Sequence, residues 1–176
     1  MVLSRDELIA MLFRETDRAQ RLKTGLAVIL CGIEEWEAWQ LRMDKGPLAE
    51  IEKEITKRVV RALRCYDSLG RLSAGEYCLV LPGCNSFNAV GMAERLRQDV
   101  FNSSIFAGGE ELQLEASFGI AGSGGRSPLV VLRNAENALR EARTRRTGPI
   151  VRSSYDAEPD SATFPIPVIE ADGLRW

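Results

Sequence analysis

The eight residues Leu26–Ile33, "LAVILCGI", carry no charge and no alternation of apolar with polar positions. A strand with one wet face would alternate with a period of two, so an unbroken run needs cover on both faces. The stretch therefore predicts a central strand sandwiched between helices, and the flanking sequence supplies them. Ser4-Arg5-Asp6-Glu7 has the form of a capping box, with Ser4 as N-cap and Glu7 three residues on. Behind it Leu8, Leu12, Ala19 and Leu22 recur at helical spacing, and Gly25 reads as the stop. After the strand, "EEWEAWQLRM" predicts a short acidic helix with Trp36, Trp39 and Met43 inward. Gly46-Pro47 ends it, with Pro47 placed to open the next helix. That helix has the strongest helical period in the chain, Leu48, Ile51, Ile55, Val59 and Leu63.

The remainder continues the mixture. "RLSAGEYCLVLPG", Arg71 to Gly83, predicts a hairpin turning at Ala74-Gly75, with Ser73 and Glu76 beside the turn. "NSFNAVGMAERLRQDVF" predicts a helix using Ala89, Ala93, Leu96 and Val100. "LQLEASFGIAG" alternates as one strand, with Leu112, Leu114, Ala116, Phe118 and Ile120 on one side. A "GSGG" loop leads to a helix opened by Ser127-Pro128, carrying Leu132, Ala135, Leu139 and Ala142, and "RRTGPIVR" turns into a short final strand. The order predicts an α+β domain over residues 1–152: a central mixed β-sheet, with an antiparallel hairpin at its centre, flanked by helices. Residues 153–176 are aperiodic and bear Pro and Asp, and read as a tail or linker.

Composition narrows the function. The 176 residues carry a net charge of −2, so no broad basic field invites nucleic acid. No apolar run is long enough to span a bilayer and no signal peptide is recognisable, which predicts a cytoplasmic protein without a membrane partner. There is no histidine, and the four cysteines form no CxxC pair. Zinc and any imidazole-dependent mechanism are thereby disfavoured, no metal site is expected, and the thiols read as reduced and mostly buried.

The order of elements resembles the GGDEF domain, the diguanylate cyclase fold related to the palm of nucleotide cyclases. The anchors are "LPG" after the hairpin, "AERLR" in the next helix, "ASFGIA" in the late strand and "AENALREAR" in the last long helix. The signature pentapeptide falls on Ser73-Ala74-Gly75-Glu76-Tyr77. Active members join two GTP molecules into cyclic di-GMP with divalent metal, which neutralises phosphate charge. The resemblance puts Gly32 at the first-strand metal aspartate and Gly75 at the acidic signature position, so both principal carboxylates are missing. Glu76 survives at the fourth signature position, Glu34 stands where another acid is common, and Ala74 replaces a glycine. Gln40-Leu41 and "GPLAEI" depart from the guanine-contacting pattern, while Arg143 stands where the family has a phosphate-contacting lysine. The resemblance thus implies a degenerate, catalytically inactive domain in which Gly32, Glu34, Ser73, Ala74, Gly75 and Glu76 are vestiges of the active site.

A second family site keeps its pattern. Arg64-Cys65-Tyr66-Asp67 is an RxxD sequence, matching the inhibitory site where cyclic di-GMP binds, and Arg95 matches a third contributor on the following helix. Chemically, Arg can grip a guanine edge or a phosphate with paired hydrogen bonds, while Asp accepts from guanine N1–H and N2–H₂. Taken alone, an Arg and an Asp three apart are commonly a solvated pair.

Three functions follow as expectations. The first is a cyclic di-GMP receptor or signalling module acting through Arg64, Asp67 and Arg95, with no cofactor, a possible homodimer and an unidentified protein partner. The second is a structural, interaction or dimerisation module without nucleotide, using an apolar patch near Trp36 or the tail. The third is a residual cyclase or GTP sensor relying on Glu34 and Glu76. Trp36, Trp39 and the methionines read as core, "GSGG" lacks the ending of a P-loop, and Arg140 to Arg146 read as a solvated helix end.

Overall fold

The computed structural model describes residues 2–144 and 148–154. Its elements are α1 (Arg5–Leu22), β1 (Leu26–Ile33), α2 (Trp36–Arg42), α3 (Lys45–Ala62), β2 (Ser68–Ser73), β3 (Glu76–Pro82), α4 (Ser86–Leu96), β4 (Ser103–Ala107), β5 (Glu110–Leu114), β6 (Ala116–Gly122), α5 (Pro128–Arg143) and β7 (Ile150–Arg152). A π-helical turn, Arg97–Phe101, continues α4. Five strands form one mixed sheet in the order β2-β3-β1-β6-β7, and β4 pairs only with β5 in a separate ribbon. All neighbours in the main sheet are antiparallel except β6 and β7.

The strand that looked central is central, and it separates two cores. Ala27, Ile29, Cys31 and Ile33 enter the cluster beneath α3 and α4, with Tyr77, Leu79, Phe118 and Ile120. Leu26, Val28 and Leu30 enter the opposite cluster with Leu8 and Leu12 of α1 and Leu132, Ala135 and Leu139 of α5. This is the physical content of the absent alternation, because every side chain of β1 is buried on one face or the other. Gly119 of β6 sits where α5 crosses, and a Cβ there would run into the Ala135 carbonyl and the Leu139 amide.

Several expectations need correction. The hairpin is not at the centre of the sheet, since β2 is its edge and β1 holds the middle. The exposed Arg71 and Ser73 of β2 are the reason, as such side chains suit an edge. Residues 112–122 are two strands, not one. Glu115 separates β5 from β6, yet Leu112, Leu114, Ala116, Phe118 and Ile120 all reach the same core. Strand β4 was not expected at all. Lys23, not Gly25, ends α1, in the left-handed conformation at φ 53 with its N–H returning to Ala19 and Gln20. Gly25 serves a close approach instead, since a Cβ there would lie 2.8 Å from the Cys84 carbonyl oxygen. Leu22 is exposed. Asp44 is the N-cap of α3, so Pro47 is its third residue, still within the turn whose N–H groups lack helical partners.

The capping box forms, with Ser4 N–H donating to Glu7 Oε2 at 2.8 Å and Glu7 N–H donating to Ser4 Oγ at 3.4 Å. Cys31 and Cys78 are buried, Cys84 is half-buried and Cys65 is exposed. Among the described residues no helix is long and apolar enough to cross a membrane. The tail 153–176, beyond Ser153 and Ser154, lies outside the described residues, as do Arg145 and Arg146.

Candidate functional site

Two places matter, the tip of the β2–β3 hairpin and a cleft below the end of α3. At the tip the chain turns through Ala74-Gly75, with Gly75 at φ 72 and its carbonyl accepting from Ile33 N–H at 2.9 Å. Gly32 lies opposite Glu76 on one side and Ser117 on the other. Glu76 Oε1 accepts from Arg143 Nη1 at 2.9 Å, and its Oε2 accepts from Ser73 Oγ at 3.0 Å. A Cβ at Gly32 would collide with the Arg143 guanidinium, and one at Gly75 would collide with the Trp36 side chain. A cation and an indole therefore stand where side chains at 32 and 75 would need room. Trp36 is buried and meets Trp39 edge-on at 6.1 Å. Ala74 is exposed, while Glu34 faces a different cleft with Arg97 and Asn102. Among the described residues no three His, Cys, Asp or Glu side chains gather to hold a metal ion.

The second place brings Arg64, Asp67 and Arg95 together around a cleft of about 280 Å³. Helix α3 stops at Ala62, Arg64 follows it, and Asp67 precedes β2. The turn closes on itself, with Arg64 N–H donating to Asp67 Oδ2 at 2.9 Å and Asp67 N–H donating to the Arg64 carbonyl at 3.1 Å. Arg64 Nη1 donates to the Tyr66 hydroxyl at 3.0 Å, a bond that raises the Arg64 pKa further. Arg95, in the last turn of α4, uses Nη2 for the Ala62 carbonyl at 3.0 Å and Met92 Sδ at 2.9 Å. Each guanidinium is thus anchored through one nitrogen, with other N–H donors to spare. Two cations and one carboxylate suit an anionic ligand with a donor edge, such as a nucleotide carrying guanine. Cys84 lines the same cleft, and burial, then the Asp67 charge, pushes its thiol pKa up.

Sequence reasoning did not reach Asn88, Met92, Cys84, Pro82 and Gly83, which complete the lining together with Leu81 and Gly91. Counting back from Arg95 by three and seven along α4 would have found Met92 and Asn88. The Pro82–Cys84 wall depends on how β3 hands over to α4, which no local pattern states.

The model of the diguanylate cyclase GGDEF domain matches residues 2–148. Among solved structures, the GGDEF domain of YfiN (TpbB) from Pseudomonas aeruginosa superposes with a TM-score of 0.80 at 19% identity, covering 86% of this chain and 96% of that one. The active GGEEF domain of a diguanylate cyclase from Vibrio cholerae gives 0.77 at 19% identity, covering 87% and 98%. The GGDEF domain of DgcB from Caulobacter crescentus, solved in complex with c-di-GMP, gives 0.79 at 15% identity, covering 86% and 91%. Those likenesses establish the fold, and together with the matched span they place this chain in a family: it belongs to the GGDEF domains.

Proposed function

We propose that this GGDEF domain is catalytically inactive and acts as a receptor for cyclic di-GMP, bound through Arg64, Asp67 and Arg95. The observation that carries the reading is the contrast between the two places. Around the cleft the three side chains converge with donors and an acceptor to spare. At the hairpin tip, the divalent cation that cyclase chemistry requires does not fit the residues present. Arg143 already neutralises Glu76, its guanidinium fills the space beside Gly32, and Trp36 fills the space beside Gly75. Calorimetric titration with cyclic di-GMP tests the receptor half. Binding in the micromolar range or tighter, lost in Arg64→Ala, supports it, and absence of heat at high protein concentration ends it. Incubation with GTP and Mg²⁺ or Mn²⁺ followed by chromatography tests the other half, since any cyclic di-GMP formed would contradict inactivity.

The reading as a nucleotide-free interaction module loses one of its supports. Trp36 and Trp39 do not contribute to the apolar patch expected there, because both are core residues, although Leu41 on the same helix is exposed. The residual-cyclase reading is weakened in the same way, with Glu76 committed to Arg143 and Ser73, and Glu34 in another cleft.

A further inference from the structure

Tyr66 stands between the two charged members of the RxxD turn and is 51% exposed. Its hydroxyl is fixed by Arg64, whose guanidinium carbon lies 5.9 Å from the ring centroid. The ring also borders a second groove, of about 260 Å³, formed with Glu15, Arg18 and Leu22 of α1. That groove shares Pro82 and Gly83 with the Arg64–Asp67–Arg95 cleft, so the two lie side by side across one turn. Sites that enclose ligands of drug size run to about 300–1,000 Å³, so each groove is small for a cyclic dinucleotide and the pair together is a better match. A half-exposed aromatic ring lining the α1 groove beside the shared Pro82 and Gly83 offers a flat face to a base, and stacking is sequence-tolerant and strong. The Glu15–Arg18 pair of α1, 3.7 Å apart, lines the same groove and presents both an acceptor and a donor.

We propose that Tyr66 is a purine-stacking residue of this site and that the groove against α1 receives one base of the bound nucleotide. The proposal rests on the receptor reading above. Arg64 and Asp67 then serve the phosphate and one guanine, while the other base lies against the Tyr66 ring. The hydroxyl bond to Arg64 holds the ring in place and leaves the remaining guanidinium donors for the ligand.

The test is titration of cyclic di-GMP into the full chain and into the Tyr66→Phe, Tyr66→Leu and Arg64→Ala variants, with melting temperatures recorded for each. Tyr66→Leu is expected to bind about tenfold more weakly or worse, and Tyr66→Phe to stay within about threefold because the ring remains. A guanine H8 resonance should shift upfield on binding to the natural chain and to Tyr66→Phe, and not on binding to Tyr66→Leu. If Tyr66→Leu binds like the natural chain while Arg64→Ala does not bind, stacking is overturned and the receptor reading stands. Equal losses in the Phe and Leu variants would assign the effect to the hydroxyl and overturn stacking too. If the natural chain itself binds nothing, both readings fall.

Discussion

Arg143, at the last turn of α5, reaches across to the hairpin tip and sits over Gly32 while its Nη1 lies 2.9 Å from Glu76 Oε1. The ends of three elements distant in sequence, α5, β1 and β3, therefore meet on a single guanidinium. The pair is partly exposed on both sides, at 39% and 33% of the side chains, so its contribution to stability is modest.

Arg143→Gln is expected to lower unfolding free energy by only about 0.2–1 kcal/mol, the range for solvent-accessible ion pairs. Urea denaturation measures it. Gly32→Asp is expected to fold, because the obstructing atoms are the far end of a flexible side chain. That variant should still make no cyclic di-GMP from GTP, since Arg143 and not a metal would answer the new carboxylate.

Gly75 is far less tolerant. An alanine there combines a left-handed backbone with a collision against Trp36, whose side chain is buried and cannot swing away. Gly75→Ala should cost about 2–4 kcal/mol. Trp36→Ala, which empties the space, should cost about 3–5 kcal/mol. Intrinsic tryptophan emission through a urea series follows both.

Asp67 closes the turn by accepting from Arg64 N–H, and on the receptor reading it also contacts the ligand; a single substitution separates the two. Asp67→Asn keeps an oxygen to accept from Arg64 N–H, so thermal stability should change little. Cyclic di-GMP affinity should fall about tenfold, because a neutral acceptor replaces a charge-assisted one. Calorimetric titration beside a melting curve reads the two parts independently.

Stability should fall on the alkaline side. Burial pushes the thiol of Cys78 up to about 12 from an ordinary 9.0, and the hydroxyl of Tyr77 up to about 12 from 10.0. The unfolded chain releases these protons first, so it binds fewer than the folded chain between those limits and folding weakens as pH rises. The contribution is complete below about pH 9 and lost progressively toward about pH 12. Urea midpoints measured across that window should decline, and Tyr77→Phe should flatten the part above about pH 10.

The sequence was most informative where a side chain's environment is set by its own strand or helix. The limits of β1, the two-residue turn at Ala74-Gly75 and the buried stripe Ile51, Ile55 and Val59 all follow from local pattern, and all occur as read. Strand β4 escaped because "SSIFA" buries only Ile105 and Ala107 and exposes Phe106, leaving too few residues for a period to show. The place of the hairpin escaped because strand order is decided by pairing between distant segments, not by any one of them. Arg64, Asp67 and Arg95 were named from the family resemblance, and what that resemblance left out was the rest of the cleft lining, such as Asn88, Met92 and Cys84. The resemblance put Arg143 where the family has a phosphate-contacting lysine, but its lodging over Gly32 depends on the crossing of α5 and β1.

One strand supplies side chains to both cores, with Ile29 on one side and Val28 and Leu30 on the other. Loss of β1 would remove core side chains from both hydrophobic halves at once. Opening is therefore all-or-none, the amides of β1 should be the last to exchange with solvent, and a truncation that spares one core will not yield half a domain.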